Sequence, residues 1–535
     1  MADKNRPSQI WRHSGGEGGY RYLDDMTDKE LADQAVMHRS NDHIIAADAA
    51  NNQKRFERYE QQKREEQAKK FNLTLRIGVF FDGTGNNASN AAEGQRCGAH
   101  HAIKPEDLDS SCKPYMSDSD SSYGNDPSNV YKLYDLYEHT ERVESGDKPK
   151  SIRRKLYLNG IGTKTSEKDS KWGSGTGRGD TGVEERVKLA FEKILNLMDA
   201  LHQEHPNAEI RAIMFDTFGF SRGAAAARHF ANQVLGGANG PMAQVLQRTK
   251  AKFSRSFLPD SCDISVRFIG LFDTVASVAG LRNFGNYSSR HTPGIQLYLD
   301  RKKFPTVVQL AARDEIRFNF ALRHVRPDHL DITLPGAHSD IGGGYRQLME
   351  EALMVTPMQA QEIDQTQDVR EASIYHDAEH AKARWIEEGW PADALHIVTP
   401  QAEQLPFDRQ DHTTPAQKRV YAGLQIRREV RGELSRVYLR VMHALAKAKQ
   451  VPFNDIPDKP EYHVPQELQT LCDRFVAGDY NLTPTEDALL RRRYIHTSAH
   501  WNHPNRKEKG GGLTLFYLNS PMEDGARVRH PHTPD

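Results

Sequence analysis

No stretch of the 535-residue sequence approaches the run of about 20 apolar residues that a helix needs to span a bilayer. Residues 1–7 also lack the apolar core of a secretory signal. We therefore expect a cytoplasmic protein without a signal peptide in the cell that makes it. Any contact with a membrane is expected to be peripheral.

The sequence also has no excess of positive or negative charge. The 72 Lys and Arg residues balance 73 Asp and Glu residues, for a net charge of -1. Without a global basic field, the chain is not predicted to bind nucleic acid.

Cysteine is scarce, with four residues and no C-x-x-C pair among Cys97, Cys112, Cys262 and Cys472. This spacing suits neither a zinc site nor a disulfide framework, so we expect reduced thiols. A bridge between Cys97 and Cys112 is the alternative.

A glycine-flanked serine is the feature around which the rest of the chain is interpreted. The motif G-F-S-R-G, residues 219–223, follows the apolar run 210–218 and precedes four alanines. A strand, a tight turn that carries a serine, and then a helix form the nucleophile elbow of an α/β-hydrolase. Gly219 and Gly223 are required because side chains there would collide across the turn. The pattern predicts an α/β-hydrolase-like fold, a mostly parallel sheet flanked by helices, with Ser221 as the nucleophile.

Two further apolar runs end in candidate partners for Ser221. Asp273 follows the run 264–272, and His338 lies shortly after the run 331–334. Catalytic groups of open α/β sheets gather beyond the carboxyl ends of the strands. A serine hydroxyl needs a histidine to remove its proton, and the histidine needs a carboxylate to fix its tautomer. The chain order serine, acid, histidine is that of α/β-hydrolases, so we predict Ser221, Asp273 and His338 as the catalytic triad.

The loop after the first predicted core strand is the candidate for half of an oxyanion hole. The nearly continuous apolar run 73–81 ends at D-G-T-G-N-N. Backbone N–H groups of such a loop can face the nucleophile. We predict that the oxyanion binds the N–H of Arg222 and one N–H from the loop 82–85, with Asp82 and Gly83 as the candidates.

Other residues offer competing interpretations. His496 is the alternative general base, and the choice between it and His338 stays open. Residues 177–182 match a G-x-G-x-x-G fingerprint, but a polar loop rather than a strand precedes them, so no nucleotide cofactor is predicted. Asp340 could join His338 on a metal ion, but no third ligand is suitably spaced. We predict no metal, and a turn-stabilising role for Asp340.

The chain is predicted to have three parts. Residues 1–71 form a charged helical extension, residues 72–346 the catalytic core, and residues 347–535 a helical lid or membrane-approach region with a C-terminal tail. Within the core, residues 88–128 are a polar insertion that is expected to form a surface excursion. In the third part, helices are predicted in pieces over 359–388 and continuously over 416–448.

Four motifs together resemble the type VI secretion phospholipase effectors of the first lipase family. They are F-F-D-G-T-G-N-N at 80–87, G-F-S-R-G-A at 219–224, F-D-T-V at 272–275 and H-S-D-I-G-G-G-Y at 338–345. The resemblance implies an α/β-hydrolase with a Ser-Asp-His triad that cleaves acyl esters of membrane phospholipids, a phospholipase of the A1 or A2 type.

The same resemblance implies an antibacterial toxin. Such an effector is carried by the type VI secretion spike protein into the periplasm of a neighbouring cell, and a cognate immunity protein neutralises it in the producer. Two other functions stay open: a serine esterase of soluble esters, and an interaction protein of the secretion machine that docks through its N-terminal helices.

Overall fold

The computed structural model describes residues 11–13, 20–22, 53–59, 61, 70–101, 103–104, 107–140, 150–169, 182–259, 262–276, 294–406, 415–502, 519–522 and 525–534. Residues 1–70 and 71–535 form two compact units. In the first unit, strands β1 (Trp11–His13) and β2 (Tyr20–Tyr22) pair in antiparallel fashion. Residues 53–59 are helical, as predicted for this extension. Most of the remaining predicted helix lies outside the described residues.

A parallel sheet of seven strands forms the centre of the second unit, in the order β10-β8-β7-β5-β3-β4 with β6 beside β5. All of its strand pairs are parallel. The strands are β3 (Phe71–Phe81), β4 (Lys150–Leu158), β5 (Ala208–Phe220), β6 (Lys252–Phe253), β7 (Ile264–Phe272), β8 (Val307–Ala312) and β10 (Leu330–Leu334). This is the predicted α/β fold. The sequence did not predict β8, which separates the strand before Asp273 from the strand before His338.

Helices cover both faces of this sheet, which explains why its strands are apolar over long stretches. The described helices of the second unit are α1 (Ala88–Arg96), α2 (Asn129–Leu136), α3 (Val183–Glu204), α4 (Arg222–Val234), α5 (Pro241–Arg248), α6 (His338–Gly342), α7 (Ser373–Glu387), α8 (Leu434–Ala448), α9 (Gln466–Val476) and α10 (Pro484–Arg493). Buried residues of α3, α4 and α5 form one apolar core with the sheet, and those of α2, α8 and α9 form a second core. Short 3₁₀ turns lie at Pro114–Ser117, Val369–Glu371, Ala392–Ala394 and Pro460–Tyr462.

The C-terminal elaboration contains helices, but parts predicted as helix are strands. Strand β15 (Gln417–Arg431) lies at the centre of an antiparallel sheet of five strands. Its partners are β11 (Leu348–Met354), β12 (Gln359–Asp364), β13 (Leu395–Val398) and β14 (Glu403–Gln404). The buried apolar side chains at the centre of β15 fall on alternate positions, Val420, Ala422, Leu424 and Ile426. This period of two places them on the same face of a strand, so the helix predicted to begin at residue 416 is wrong over β15.

The insertion at 88–128 is more structured than a polar surface excursion. It contains α1 and a small core in which Met116 and Tyr123 are buried beside Cys97. Cys97 and Cys112 form a disulfide, which corrects the expectation of reduced thiols at these positions. Cys262 and Cys472 are free.

The C-terminal residues pair with a short strand that follows β8 in the chain. Strand β16 (Arg529–His530) pairs in parallel with β9 (Leu322–Arg323). In β9, the N–H of Arg323 donates to the carbonyl of Thr274 at 3.0 Å, so the C-terminal segment lies close to the residues that follow Asp273. None of the described helices is long and apolar enough to cross a membrane.

Candidate active site

The serine of the elbow sits in a strained turn between β5 and α4. Ser221 has φ 59° and ψ -126°, a conformation that a residue with a side chain rarely adopts. Its N–H donates to the carbonyl of Phe272, 3.0 Å away. A Cβ on Gly223 would lie 2.3 Å from the carbonyl oxygens of Phe81 and Asp82. The glycine therefore lets the elbow approach the loop after β3.

Asp273 and His338 form a buried hydrogen-bonded pair. Nδ1 of His338 donates to Oδ2 of Asp273 over 2.5 Å. Asp273 is inaccessible to solvent, and His338 is 4% exposed. Asp273 follows β7, and His338 is the first residue of α6. The pairing has the geometry in which a carboxylate fixes the tautomer of a histidine base.

Sheet register explains why Ser221 and Asp273 are neighbours. Phe220, the last residue of β5, pairs with Phe272, the last residue of β7. The next residue of each strand is therefore a site residue at the same edge of the sheet. The carbonyl of Ser221 also accepts a hydrogen bond from the N–H of Val275 at 3.3 Å.

The pKa values of this pair reflect opposing effects of burial and charge. Burial disfavours the ionised form of Asp273, but the charge of Arg527 and the hydrogen bond from His338 hold the pKa of this carboxyl well below its usual range. Burial lowers the pKa of His338, although Asp273 partly offsets the effect. The pair is thus an ionised acid beside a histidine that favours its neutral form, as a general base requires.

Arg527 is a residue of this site that the sequence interpretation missed. Its two terminal nitrogens donate to the two carboxylate oxygens of Asp273, Nη1 to Oδ1 over 2.7 Å and Nη2 to Oδ2 over 2.8 Å. Oδ1 also accepts from the N–H of Ala312 at 2.9 Å. Because Arg527 lies 254 residues after Asp273 in a segment without a recognisable motif, no sequence signal connects the two.

A second carboxylate supports the backbone of His338. Glu315 is fully buried and accepts from the N–H of His338 at 3.3 Å. Arg317 donates to both oxygens of Glu315, at 2.9 and 2.8 Å, and this pairing outweighs burial to lower the pKa of Glu315 to about 2. The ring of Phe320 contacts the His338 ring edge-on, with the centroids 4.8 Å apart. The imidazole is therefore held on several sides.

Phe220 lies between the loop after β3 and helix α6. Its ring centroid is 4.6 Å from that of His338. A Cβ on Gly83 would lie 2.3 Å from the Phe220 ring, and one on Gly342 would lie 2.1 Å from it. Both glycines are therefore required for close approach to the elbow.

The loop after β3 occupies the predicted position, but its hydrogen bonds modify the predicted oxyanion donors. The N–H of Asp82 donates to the carbonyl of Leu158 at 3.0 Å, and the N–H of Gly83 donates to Oδ1 of Asp82 at 2.7 Å. Both groups are therefore already bound, which argues against the roles predicted for them. The Asp82 carboxyl is buried, which raises its pKa to about 6, and Tyr157 donates to it over 2.5 Å.

Thr84 differs from its neighbours in this loop. Among the described residues, its backbone N–H has no hydrogen-bond partner, and its buried hydroxyl has none either. Arg222, the other predicted donor, is the first residue of α4. Backbone N–H groups of a first helical turn point out of the N-terminal end of the helix.

His496 is hydrogen-bonded to a different carboxylate, that of Asp340. Its Nδ1 donates to Oδ1 of Asp340 over 2.7 Å, and its backbone N–H donates to Oδ2 over 3.0 Å. The ring stacks on Tyr345, with the centroids 3.7 Å apart. The geometry thus pairs His338, rather than His496, with Asp273. Asp340 also accepts from the N–H of Ala337 at 2.9 Å, as a turn-stabilising carboxylate does.

Within the described part of the chain, no group of three or more His, Cys, Asp or Glu side chains is placed to hold a metal ion. The Gly-rich residues 177–181 of the dinucleotide-like fingerprint lie outside the described residues.

The parallel sheet, the strained serine after β5 and the acid and histidine beyond β7 and β10 define the class of protein, an α/β-hydrolase. Residues 238–366 match the sequence model of the family described as T6SS, phospholipase effector Tle1-like, catalytic domain. This stretch contains Asp273 and His338. The search of curated proteins gave no match.

Two solved structures are similar to this chain. The chain is similar to a protein whose structure is described as the Tle1 effector bound to the VgrG spike from the type 6 secretion system, with 28% identity, a TM-score of 0.66, and 86% of this chain and 94% of that chain covered. An uncharacterized protein from Pseudomonas aeruginosa matches with 19% identity and a TM-score of 0.36, over 87% of this chain and 56% of that chain. The resemblance predicted from the four motifs is confirmed.

Proposed function

We propose that the protein is a serine phospholipase of the A type that hydrolyses acyl esters of membrane phospholipids. The observation that carries the proposal is the buried Asp273–His338 pair, which lies at the same sheet edge as the elbow serine. The match of residues 238–366 to the family model of Tle1-like phospholipase effectors supports phospholipid as the substrate class.

In this mechanism, the Oγ of Ser221 attacks the ester carbonyl while Nε2 of His338 takes the hydroxyl proton. Asp273 stabilises the imidazolium that forms. The oxyanion accepts hydrogen bonds from the N–H groups of Arg222 and Thr84, which together replace the solvation of the developing charge. His338 then returns the proton to the departing lysophospholipid oxygen. A water molecule, deprotonated by His338, then attacks the acyl carbon. The bond from that carbon to Oγ of Ser221 breaks, Oγ takes the proton back from His338, and the fatty acid leaves.

The test is mass spectrometry of the products that the purified protein releases from vesicles of a phospholipid with different acyl chains at the two positions. The wild-type protein is expected to release one fatty acid and one lysophospholipid, and the retained chain identifies the A1 or A2 type. Ser221→Ala is expected to abolish release without changing the melting temperature. Release by Ser221→Ala at the wild-type rate would contradict the proposal. Faster turnover of short soluble esters than of vesicles would favour an esterase instead.

We infer further that the protein travels on a secretion spike of the VgrG kind. The similar structure was determined with an effector bound to such a spike, and the similarity covers most of both chains. Co-purification of the full chain with the spike protein from the same cell tests this inference. A parallel variant that lacks residues 1–70, the first compact unit, tests whether the charged N-terminal extension docks to the carrier.

The toxin role predicts a dependence on compartment. Targeting the protein to the periplasm of a recipient bacterium should lyse the cells, whereas cytoplasmic expression should be tolerated. Co-expression of a cognate immunity protein in the periplasm should restore growth, and Ser221→Ala should be harmless in both compartments. Equal toxicity of Ser221→Ala would assign toxicity to something other than ester hydrolysis.

A further inference from the structure

Arg527 connects the last residues of the chain with the acid of the proposed triad. It is 7% exposed, and Asp273 is fully buried. The two form a bidentate pair, in which the planar guanidinium donates one hydrogen bond to each carboxylate oxygen. Such a pair fixes the orientation of a carboxylate more strictly than a single hydrogen bond does.

The position of Arg527 is itself fixed. Its Nε donates to the carbonyl of Phe320 over 2.6 Å. The next residues are held by backbone hydrogen bonds, from Leu322 to Val528 at 2.9 Å and from His324 to His530 at 3.1 Å. His532 accepts from the N–H of Leu299 at 2.9 Å. The guanidinium is therefore presented to Asp273 by a segment that is anchored on both sides of β16.

Both oxygens of the Asp273 carboxylate accept two hydrogen bonds each. Oδ2 accepts from Nδ1 of His338 and from Nη2 of Arg527. Oδ1 accepts from Nη1 of Arg527 and the N–H of Ala312. Without Arg527, Oδ1 would keep the N–H of Ala312 as its partner, and Arg317 would be the remaining cation that acts on both Asp273 and His338.

We propose that Arg527 is a positioning residue, through which the C-terminal segment sets the orientation of Asp273 and moderates the basicity of His338. This inference rests on the proposed hydrolase function. It predicts two separable effects. The two parallel hydrogen bonds of the guanidinium, here called its fork, control the orientation of the Asp273 carboxylate. The positive charge of Arg527 controls how strongly Asp273 favours the protonated form of His338.

The test compares Arg527→Met, Arg527→Lys and the matched control Arg529→Met. Arg529 lies two residues away in the same segment and is exposed. Steady-state kcat and kcat/KM for vesicle hydrolysis are measured from pH 5 to 9 and normalised to folded protein by circular dichroism.

Arg527→Met is expected to lower kcat by about 100-fold, the scale of a misplacement of about 1 Å in a catalytic group. Its acidic limb in kcat/KM is expected about one pH unit higher, because the unneutralised Asp273 charge favours the histidine cation. Arg527→Lys keeps the charge but not the fork, so its acidic limb should stay near that of the wild type while kcat stays reduced. Arg529→Met should behave as wild type.

Chemical rescue provides a second readout. In Arg527→Ala, added guanidinium at millimolar concentration should restore part of the activity in a saturable way, whereas sodium at equal ionic strength should not. An Arg527→Met enzyme with wild-type kcat and an unmoved acidic limb would overturn the inference. So would a loss of activity that tracks only the loss of folded protein and that guanidinium does not rescue.

Comparing Ser221→Ala with Arg527→Met distinguishes a failure of the proposed function from a failure of the role of Arg527. If Ser221→Ala retains wild-type release, the serine mechanism is wrong whatever Arg527 does. If Ser221→Ala is inactive and Arg527→Met is unaffected, only the role of Arg527 is wrong.

Discussion

Asp340 accepts two hydrogen bonds from His496, one from the ring and one from the backbone. It lies two residues after His338, whose ring is bound to Asp273 instead. Two buried Asp–His pairs therefore lie close together in the fold, each with one member in helix α6. Asp273 lies beside the elbow because β7, which ends just before it, pairs with β5, which ends just before Ser221.

The two pairs predict different effects of the same substitution. Asp273→Asn should reduce kcat by on the order of 10⁴-fold, because an amide no longer enforces the tautomer in which His338 accepts the serine proton. Asp340→Asn should lower stability more than activity, since it weakens contacts that hold residues 495–497 against α6. Vesicle hydrolysis and urea unfolding of both variants check this. The reverse pattern would identify His496 as the base.

The approach of Phe220 to Gly342 predicts that Gly342→Ala is damaging. The added methyl group would lie 2.1 Å from the Phe220 ring, so either α6 or the ring has to move. A shift of α6 carries His338 with it, and we expect kcat to fall by about 100-fold.

A double-mutant cycle isolates this contact. Phe220→Leu removes the ring that the new methyl group would meet, so Gly342→Ala should cost less in the Phe220→Leu background than in the wild type. Additive losses in kcat would show that Gly342 is needed for another reason.

The pH dependence of hydrolysis follows from the lowered pKa of His338. The histidine acts as a base only when it is neutral, and a lowered pKa keeps it neutral at more acidic pH. The acidic limb of kcat/KM should therefore lie below about pH 6.5, the ordinary value for histidine. A profile measured on monomeric short-chain esters avoids effects of pH on the bilayer. A limb above pH 7 would contradict the described environment of His338.

The disulfide in the insertion predicts a redox-dependent stability. Cys97 and Cys112 are separated by 15 residues, and closing a loop of that size stabilises a fold by about 3 kcal/mol in the chain-entropy account. Reduction should lower the urea midpoint of the wild type. The double variant Cys97→Ser/Cys112→Ser should start at the lower value and not respond to reductant.

Cys262→Ser is the control for this experiment, because Cys262 is a free, exposed cysteine. Its midpoint and its response to reductant should equal those of the wild type. An unchanged wild-type midpoint in reductant would show that the bridge does not stabilise the insertion.

Much of the candidate site could be predicted because it follows local patterns. An apolar run, a glycine-flanked serine and a helix specify the elbow in one contiguous stretch, and Asp273 directly follows another apolar run. The insertion and the C-terminal sheet were harder. In β15, Leu424, Ile426 and Val430 suit either a helical stripe or alternate strand positions, and only pairing with β11, β12 and β13 decides between them.

The sequence by itself determined the α/β-hydrolase core, and it supplied the candidates for nucleophile, acid and base in chain order, because each of these depends on neighbouring residues. The tertiary structure alone decided which histidine pairs with Asp273, that the N–H groups of Asp82 and Gly83 are already bound, and that Arg527 holds the acid. Those relationships join segments up to 254 residues apart, and their partners are selected by sheet register and burial rather than by any local motif.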